Sequence, residues 1–453
     1  MKIKNIYTSI WAFALVASQV MAGKPNVILM MADDLGYNDL ACYGSELHKT
    51  PVLDKMAADG IRMTSFYAGA TVCTPSRMAL LTGAYPPRLG WRGGVVGYGI
   101  KTFNGLAPEA TTMAEVFKGA GYRTALVGKW HLGDEKGLLP MDQGFDETYF
   151  INKSNNQTKQ LWQGGELVAN PFDNKRLSQL FTEESIQFIQ DNRMDPFFLY
   201  IPFSAPHFPA QAHPDWDGKS KNHAYGDVVE ELDFRVGEIL QTLDKHQLAE
   251  NTIVVFISDN GPEPGQRKWA QAAPYRGLKW SALEGGTRVP CIVRWPGKVP
   301  PGQTSGALAS AIDLLPTLAH ACGIQLPSCG KPKVDGVNIW GTLTGETPKN
   351  AHARKDMLYW EGWAKPQAIR EGDWKLYVDQ VKGIEGSGEG PVLVNLANDP
   401  AEEKNLASKH PEKVTALKAT MLRQLEDIEA DRLQLGGRPL NKPPTHKRGK
   451  WLE

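Results

Sequence analysis

The sequence predicts an α/β fold: a large, mixed but mostly parallel sheet flanked by helices, followed by a smaller C-terminal part with a short antiparallel sheet and a helix. Two patterns carry this prediction. Continuous apolar runs of strand length alternate with helical segments over roughly the first 350 residues, as in a sheet covered on both faces. Beyond that point the runs turn short and alternating, with Gly and Pro between them, which fits antiparallel strands.

Taken in order, "PNVILMMAD" (25–33) reads as a strand buried on both faces and ending in acid. "TPVLDKMAADG" has a Thr start and a Gly stop, and "TTMAEVFKGAG" is a second short helix. "YRTALVGKW", "PFFLYIPFS" (196–204) and "TIVVFISDN" (252–260) are strands, with 224–247 helical between the last two. "VPCIVRWPG" is a further strand and 312–322 a helix. "DMLYWE", "PQAIREGDWKLYV" and "GPVLVNLAN" make the small sheet. Residues 411–431 form an amphipathic helix with Val414, Leu417, Met421 and Leu425 on one face. The expected divisions are a signal segment at 1–22, an α/β domain at 23–348, and an α+β subdomain with a surface tail at 349–453.

The chain has 453 residues, 42% of them apolar, enough for a large core. Lys plus Arg and Asp plus Glu both number 50, and no long basic run occurs, which leaves nucleic acid binding without support. Met1-Lys2-Ile3-Lys4, the apolar "IYTSIWAFALVASQV" and the small residues near Ala22 read as a secretory signal cut after Ala22. The alternative is an uncleaved anchor, but the run is short of the roughly 20 residues a span requires. The expected location is periplasmic or secreted, with no membrane insertion of the mature chain. Five cysteines are present, an odd number that marks one thiol as special in an exported protein. Cys322 and Cys329 flank a short loop and fit either a disulfide or a free pair, while Cys42 and Cys291 read as core thiols.

Polar residues gather where strands end, the side of an open α/β sheet on which ligands bind. Asp33-Asp34 and Asp259-Asn260 close two strands, Lys129 and His131 follow a third, and His207 follows a fourth. Carboxylate and amide oxygens form a hard-cation set suited to calcium or magnesium rather than zinc. Arg77, Lys129, Lys279 and the two histidines supply positive charge for an anionic substrate. In "CTPSR", Pro75 is placed at the first helical position, which sets Cys73 at a helix N-terminus, where anions are favoured. Cys73 and Arg77, four apart, then share a face. On these grounds Cys73 is a buried thiol, a nucleophile, a ligand or a precursor. Each residue also has a plain structural reading: Lys129 on the surface, His131 at an element end, His207 in a proline loop, Lys279 packing its stem on Trp280.

Together with "MADDLGYNDLACYG", "LLTGAYPPR", "GYRTALVGKWHLG", "FISDNG", "YRGLKWSALEGGTRVP" and "AIREGDWKLY", the "CTPSR" stretch resembles the type I sulfatase family, from about residue 24 to about 408. The resemblance implies an alkaline-phosphatase-like fold and hydrolysis of sulfate esters. It implies that a maturation enzyme oxidises Cys73 to formylglycine before folding, and that Asp33, Asp34, Asp259, Asn260 and the oxidised residue 73 bind one calcium ion. By the same resemblance Arg77 and Lys129 hold the aldehyde hydrate and His131 takes its proton. His207 and Lys279 bind the ester on its leaving-group side, with His207 as general acid. Ser154 in "NKSNNQ" matches a hydroxyl position of the family.

An aldehyde hydrate suits this chemistry: one hydroxyl attacks sulfur, and the other, once deprotonated, expels sulfate and restores the aldehyde. Imidazoles exchange protons near neutral pH as both steps require. The nearest rival is a phosphomonoester, phosphodiester or phosphonate hydrolase of the same superfamily; Asn260, where two-metal members carry His, argues for one hard cation. A catalytically silent protein that binds sulfated glycans is the rival of another class, and every catalytic position being filled argues against it. Trp91, Arg92, Trp162, Trp216, Trp269 and Arg276 are expected in loops that bind a sulfated saccharide, the favoured substrate.

Overall fold

The computed structural model describes residues 23–98, 105–327, 330–347, 354–388 and 390–434. The expected signal segment 1–22, Cys329 of the candidate Cys322–Cys329 pair, and the tail beyond 434 lie outside the described residues.

The strands are β1 (Asn26–Ala32), β2 (Ile61–Met63), β3 (Phe66–Tyr67), β4 (Arg123–Lys129), β5 (Glu147–Ile151), β6 (Leu161–Gln163), β7 (Glu166–Ala169) and β8 (Phe197–Pro202). They continue with β9 (Thr252–Ser258), β10 (Cys291–Arg294), β11 (Gln303–Ser305) and β12 (Ala309–Ser310), then β13 (Asp356–Trp360), β14 (Pro366–Glu371), β15 (Trp374–Tyr377) and β16 (Val392–Asn395). Among the described residues the main sheet runs β11-β2-β10-β9-β1-β8-β4-β5-β6-β7, and β3 pairs with β12 in a separate two-stranded sheet.

The centre, β9-β1-β8-β4-β5, is parallel throughout. The middles of its strands are apolar on both sides because both faces are covered, and polar residues such as Asn26, Arg123, Glu147 and Ser258 fall at the strand ends. Val27, Leu29 and Met31 of β1 pack with the helices Cys73–Thr82, Met113–Gly119 and Leu314–Ala321. Ile28, Met30 and Ala32 face Pro51–Ala58, Leu177–Asp191 and His223–Lys245 on the other side. β10 runs antiparallel to both neighbours, and β5-β6-β7 ends the sheet as an antiparallel meander. Between β4 and β8 the backbones come so close that a Cβ on Gly128 would lie 2.1 Å from the Pro202 carbonyl oxygen. Only glycine fits there, with φ 144°, one residue before Lys129.

β13 to β16 form a four-stranded antiparallel sheet in sequence order. The helix Pro411–Ala430 covers it through Leu417, Met421 and Ile428, which join Leu358, Ile369, Leu376 and Leu393 in the same apolar cluster as the central sheet. The other face of the small sheet, through Met357, Tyr359, Ala368, Tyr377, Val392 and Val394, forms a second cluster with Tyr67, Ala282 and Leu308.

Candidate active site

Four adjacent strands of the parallel centre, β9, β1, β8 and β4, end on one edge, and each releases polar residues there. Residue-by-residue pairing of β1 with β9 up to Ala32 and Ser258 places Asp33 beside Asp259. Asp34 donates its N–H to Asp259 Oδ1 at 3.1 Å, and its backbone is left-handed, with φ 66°. A left-handed aspartate and a left-handed His131 (φ 57°) are conformations that cost energy and are held by what surrounds them.

The helix at this edge starts at Cys73 itself, so Pro75 is its third residue rather than its first. The difference is tolerated because no N–H of a first helical turn has a partner within the helix. Cys73 is 1% exposed, and its Sγ lies 3.4 Å from Asp33 Oδ1 and 4.0 Å from Asp34 Oδ1. Burial pushes its thiol well above the usual range, so as a cysteine it stays protonated and unreactive. One turn on, Arg77 binds Asp259 Oδ2 through Nε and Nη2 at 3.2 and 2.9 Å, and donates Nη1 to the Lys129 carbonyl at 2.8 Å. Lys129 Nζ is 2.5 Å from Asp33 Oδ2, and Lys279 Nζ is 2.8 Å from Asp34 Oδ2 and 3.2 Å from Glu263. All these groups except Glu263 are buried.

Oxygen and sulfur atoms of Asp33, Asp34, Asp259 and Cys73 lie within 4.8 Å of one another. Burial raises the Asp33 carboxyl, but Lys129, His207, Arg77 and Lys279 overrule it and hold it well below the carboxylate range. Asp259 is pushed up to about 7, by burial first and the Asp33 charge next, against Arg77. Arg77, Lys129 and Lys279 match the three carboxylates in number, and Asn260 Oδ1 is buried without a hydrogen-bond partner. An orphaned amide oxygen beside three carboxylates fits a hard divalent cation.

The two imidazoles are oriented differently. His131 Nε2 faces the Val96 carbonyl at 3.0 Å, so it carries the proton. Its Nδ1 is buried and unpartnered, an available base. Thr74 holds both sides of this arrangement, donating its hydroxyl to the His131 carbonyl and accepting from the Val96 N–H. Burial, then Lys129 and Arg77, keep His131 neutral, well below the imidazole range. His207 Nδ1 lies 2.7 Å from the Phe208 carbonyl and 3.0 Å from Asn155 Oδ1, and the Asn155 amide is itself oriented by a bond to Asn174. Nδ1 therefore bears hydrogen and Nε2 points inward, 3.6 Å from Asp34 Oδ2. Burial lowers His207 to about 4.

The structure thus brings together Asp33, Asp34, Cys73, Arg77, Lys129, His131, His207, Asp259, Asn260 and Lys279. It corrects two of the expected saccharide residues. Trp91 is fully buried in the core, with its indole N–H donated to Gly94, and offers no face to a sugar. Arg276 is taken up by the Ala401, Gly383 and Glu402 carbonyls, tying its loop to the small sheet. Arg92 is part-buried and desolvation lowers it. Trp162 lies in β6 rather than a loop. Ser154 is buried, and its backbone bonds to Gln157 and Thr158 build the turn that presents Asn155. Asn155, Thr74, Val96 and Glu263 were not predicted; only Asn155, next to Ser154 in "NKSNNQ", had a signal within reach.

A pocket with hard oxygen ligands on one wall and fixed cations and two imidazoles on the others defines a hydrolase of anionic esters. A family model described as Sulfatase matches residues 25–324, and one described as N-sulphoglucosamine sulphohydrolase, C-terminal, matches residues 279–431. An arylsulfatase of Hemicentrotus pulcherrimus is 38% identical, over 67% of this chain and 59% of that protein. An N-acetylgalactosamine-6-O-sulfatase of Bacteroides thetaiotaomicron is 33% identical, over 87% of this chain and 92% of its own length. A sulfatase structure reported with the metabolism of multiple glycosaminoglycans by Bacteroides thetaiotaomicron superposes with a TM-score of 0.80 at 31% identity, covering 89% of this chain and 99% of that one. The chain belongs to the sulfatase family of sulfuric ester hydrolases, with an alkaline-phosphatase-like fold.

Proposed function

We propose that the protein is an exported sulfatase that removes sulfate from a sulfated saccharide, using calcium and a formylglycine formed from Cys73. The observation that carries this reading is the juxtaposition of a buried Cys73 at a helix start with three carboxylates, an orphaned Asn260 oxygen and three fixed cations. The complete burial of Cys73 supports oxidation by a maturation enzyme acting on the extended chain, before the fold closes over it. Export is supported by the signal-like start of the sequence, and no helix among the described residues is long and apolar enough to cross a membrane. A sugar substrate is supported by the N-acetylgalactosamine-6-O-sulfatase and glycosaminoglycan-linked relatives.

Asp33, Asp34, Asp259 and Asn260 would hold the cation, which supplies Lewis-acid stabilisation of charge on the sulfuryl oxygens. The formylglycine hydrate supplies a renewable oxygen nucleophile in place of the thiol. Arg77 and Lys129 anchor the carboxylates around residue 73 and place positive charge beside it. His131 Nδ1, with its other nitrogen fixed on Val96, accepts a proton from residue 73. Lys279 and His207 Nε2 face the leaving group, and the charge of an incoming ester raises the affinity of His207 for the proton it donates to the leaving oxygen. The test is a panel of sulfated saccharides, aryl sulfates and the matching phosphate esters, assayed for released anion after mass spectrometry has shown an aldehyde at residue 73. Sulfate release with phosphate release far lower supports the reading. Release of phosphate alone overturns it.

A further inference from the structure

Among the described residues four large aromatic side chains are strongly exposed: Tyr98, Phe208, Phe234 and Trp363. Two of them, Tyr98 at 59% and Trp363 at 41%, flank Trp280, the residue after Lys279. Trp280 and Trp363 stack with centroids 5.4 Å apart and planes inclined by 26°, and Tyr98 meets Trp280 edge-on at 6.2 Å. Exposed rings assembled side by side at the rim of a charged pocket are a feature of ligand sites rather than of bare surface.

The assembly is held in place at some cost. Trp280 has φ 78°, which a bulky residue rarely adopts. A Cβ on Gly362 would lie 2.1 Å from its Cε3, so glycine is required for the ring to seat. Backbone bonds tie the rings to the catalytic elements. The Trp280 N–H donates to Thr71 O, two residues before Cys73, and the Gly94 N–H donates to Gly362 O. Tyr98 lies two residues beyond Val96, whose carbonyl orients His131. Beside Tyr98, a Cβ on Gly97 would touch Lys153 and Gln157, two side chains with polar ends.

We propose that Tyr98, Trp280 and Trp363 form the shelf on which a pyranose ring of the substrate stacks, with its sulfate in the charged pocket and its hydroxyls toward Lys153 and Gln157. The proposal deepens the sulfatase reading and rests on it. An apolar ring face against an aromatic face with polar edges outside is the match that carbohydrate offers. A small aryl ester has no need of the polar rim.

The test compares kcat/KM for glycosaminoglycan-derived sulfated disaccharides and for 4-nitrophenyl sulfate, in matured enzyme and in Trp363→Ala and Trp363→Phe. Trp363→Ala is expected to lower the saccharide-to-aryl ratio about tenfold, mostly through KM for the saccharide, while Trp363→Phe keeps a stacking face and most of the ratio. Quenching of tryptophan fluorescence by the same disaccharides in the inert Cys73→Ala protein is expected, and weaker after Trp363→Ala. An unchanged ratio, or a larger loss on the aryl ester, overturns the shelf while leaving the sulfatase reading intact. Failure of aldehyde-bearing enzyme to release sulfate from any ester overturns that reading instead, and disaccharide quenching in Cys73→Ala then decides the shelf by itself.

Discussion

Two of the buried charge clusters among the described residues differ in one respect that separates chemistry from architecture. Where the loop after Arg276 meets the small sheet, Glu284 binds Lys375 at 2.8 Å, Arg288 at 3.1 Å and the Tyr67 hydroxyl at 2.5 Å. Glu402 bonds to Tyr377 and to the Glu284 N–H, and Lys375 also donates to the Ala282 carbonyl. Each of these carboxylates and the ammonium is saturated. Lys375, Arg288 and Arg370 overcome the effect of burial and take Glu284 down to about 2. At the strand ends the charges are as deeply buried, yet His131 Nδ1 and Asn260 Oδ1 have no partner, and Asp34 and His131 are in left-handed backbone. A closed network fixes a subdomain to its neighbour. An open, strained one is arranged around something that binds.

The comparison is broken or sharpened most strongly at residue 73. Cys73→Ala should reduce sulfate release by about a thousandfold or more while moving Tm only a few degrees, measured by sulfate assay and thermal melts. Lys375→Met should do the reverse, destabilising the fold by about 3–5 kcal/mol in urea titrations, because Glu402 is left buried without its ammonium partner, 3.1 Å away, and Glu284 keeps only its arginines. Folded Lys375→Met protein should keep most of its kcat. Removal of calcium by a chelator comes next. The chelated protein should lose activity and melt lower, and calcium at about a hundredfold excess over its Kd should restore activity with about 2.7 kcal/mol of stability. The smallest effect is expected at Asn155, which acts through His207. Asn155→Ala should lower kcat about tenfold with little change in KM, a split that simple unfolding does not produce.

The parts of the molecule that could be read from the sequence are those where local pattern and burial coincide. The strands β1, β8 and β9 and the middle of β4 are largely apolar because the sheet buries them twice, and the acids, Lys129, His131 and His207 lie at or soon after their ends. The direction of β10 could not be read, since a buried antiparallel strand shows the same apolar run as a parallel one. The last two strands of the main sheet, β6 and β7, are short and largely exposed, so they leave little periodic signal. The helix Leu177–Asp191 buries Ser178, Thr182 and Ser185 along with Phe181, Phe188 and Ile189, and those polar residues blur its apolar period.

At the site, residue types were legible and side-chain aims were not. Trp91 sits among glycines as a loop tryptophan would, but the chain folds it into the core. Arg276 is spent on carbonyls more than a hundred positions away in sequence, a contact no local pattern encodes. Asn155 gains its role from the fold of the turn that delivers it to His207.

The central claim is that residue 73, once it bears an aldehyde, is the group that turns sulfate esters over beside the cation. It is tested most directly by measuring sulfate release against the fraction of chains carrying that aldehyde, across preparations matured to different extents in saturating calcium. A straight line through the origin is predicted. Release that stays constant as the fraction varies, or that persists in chains retaining the thiol, would contradict it.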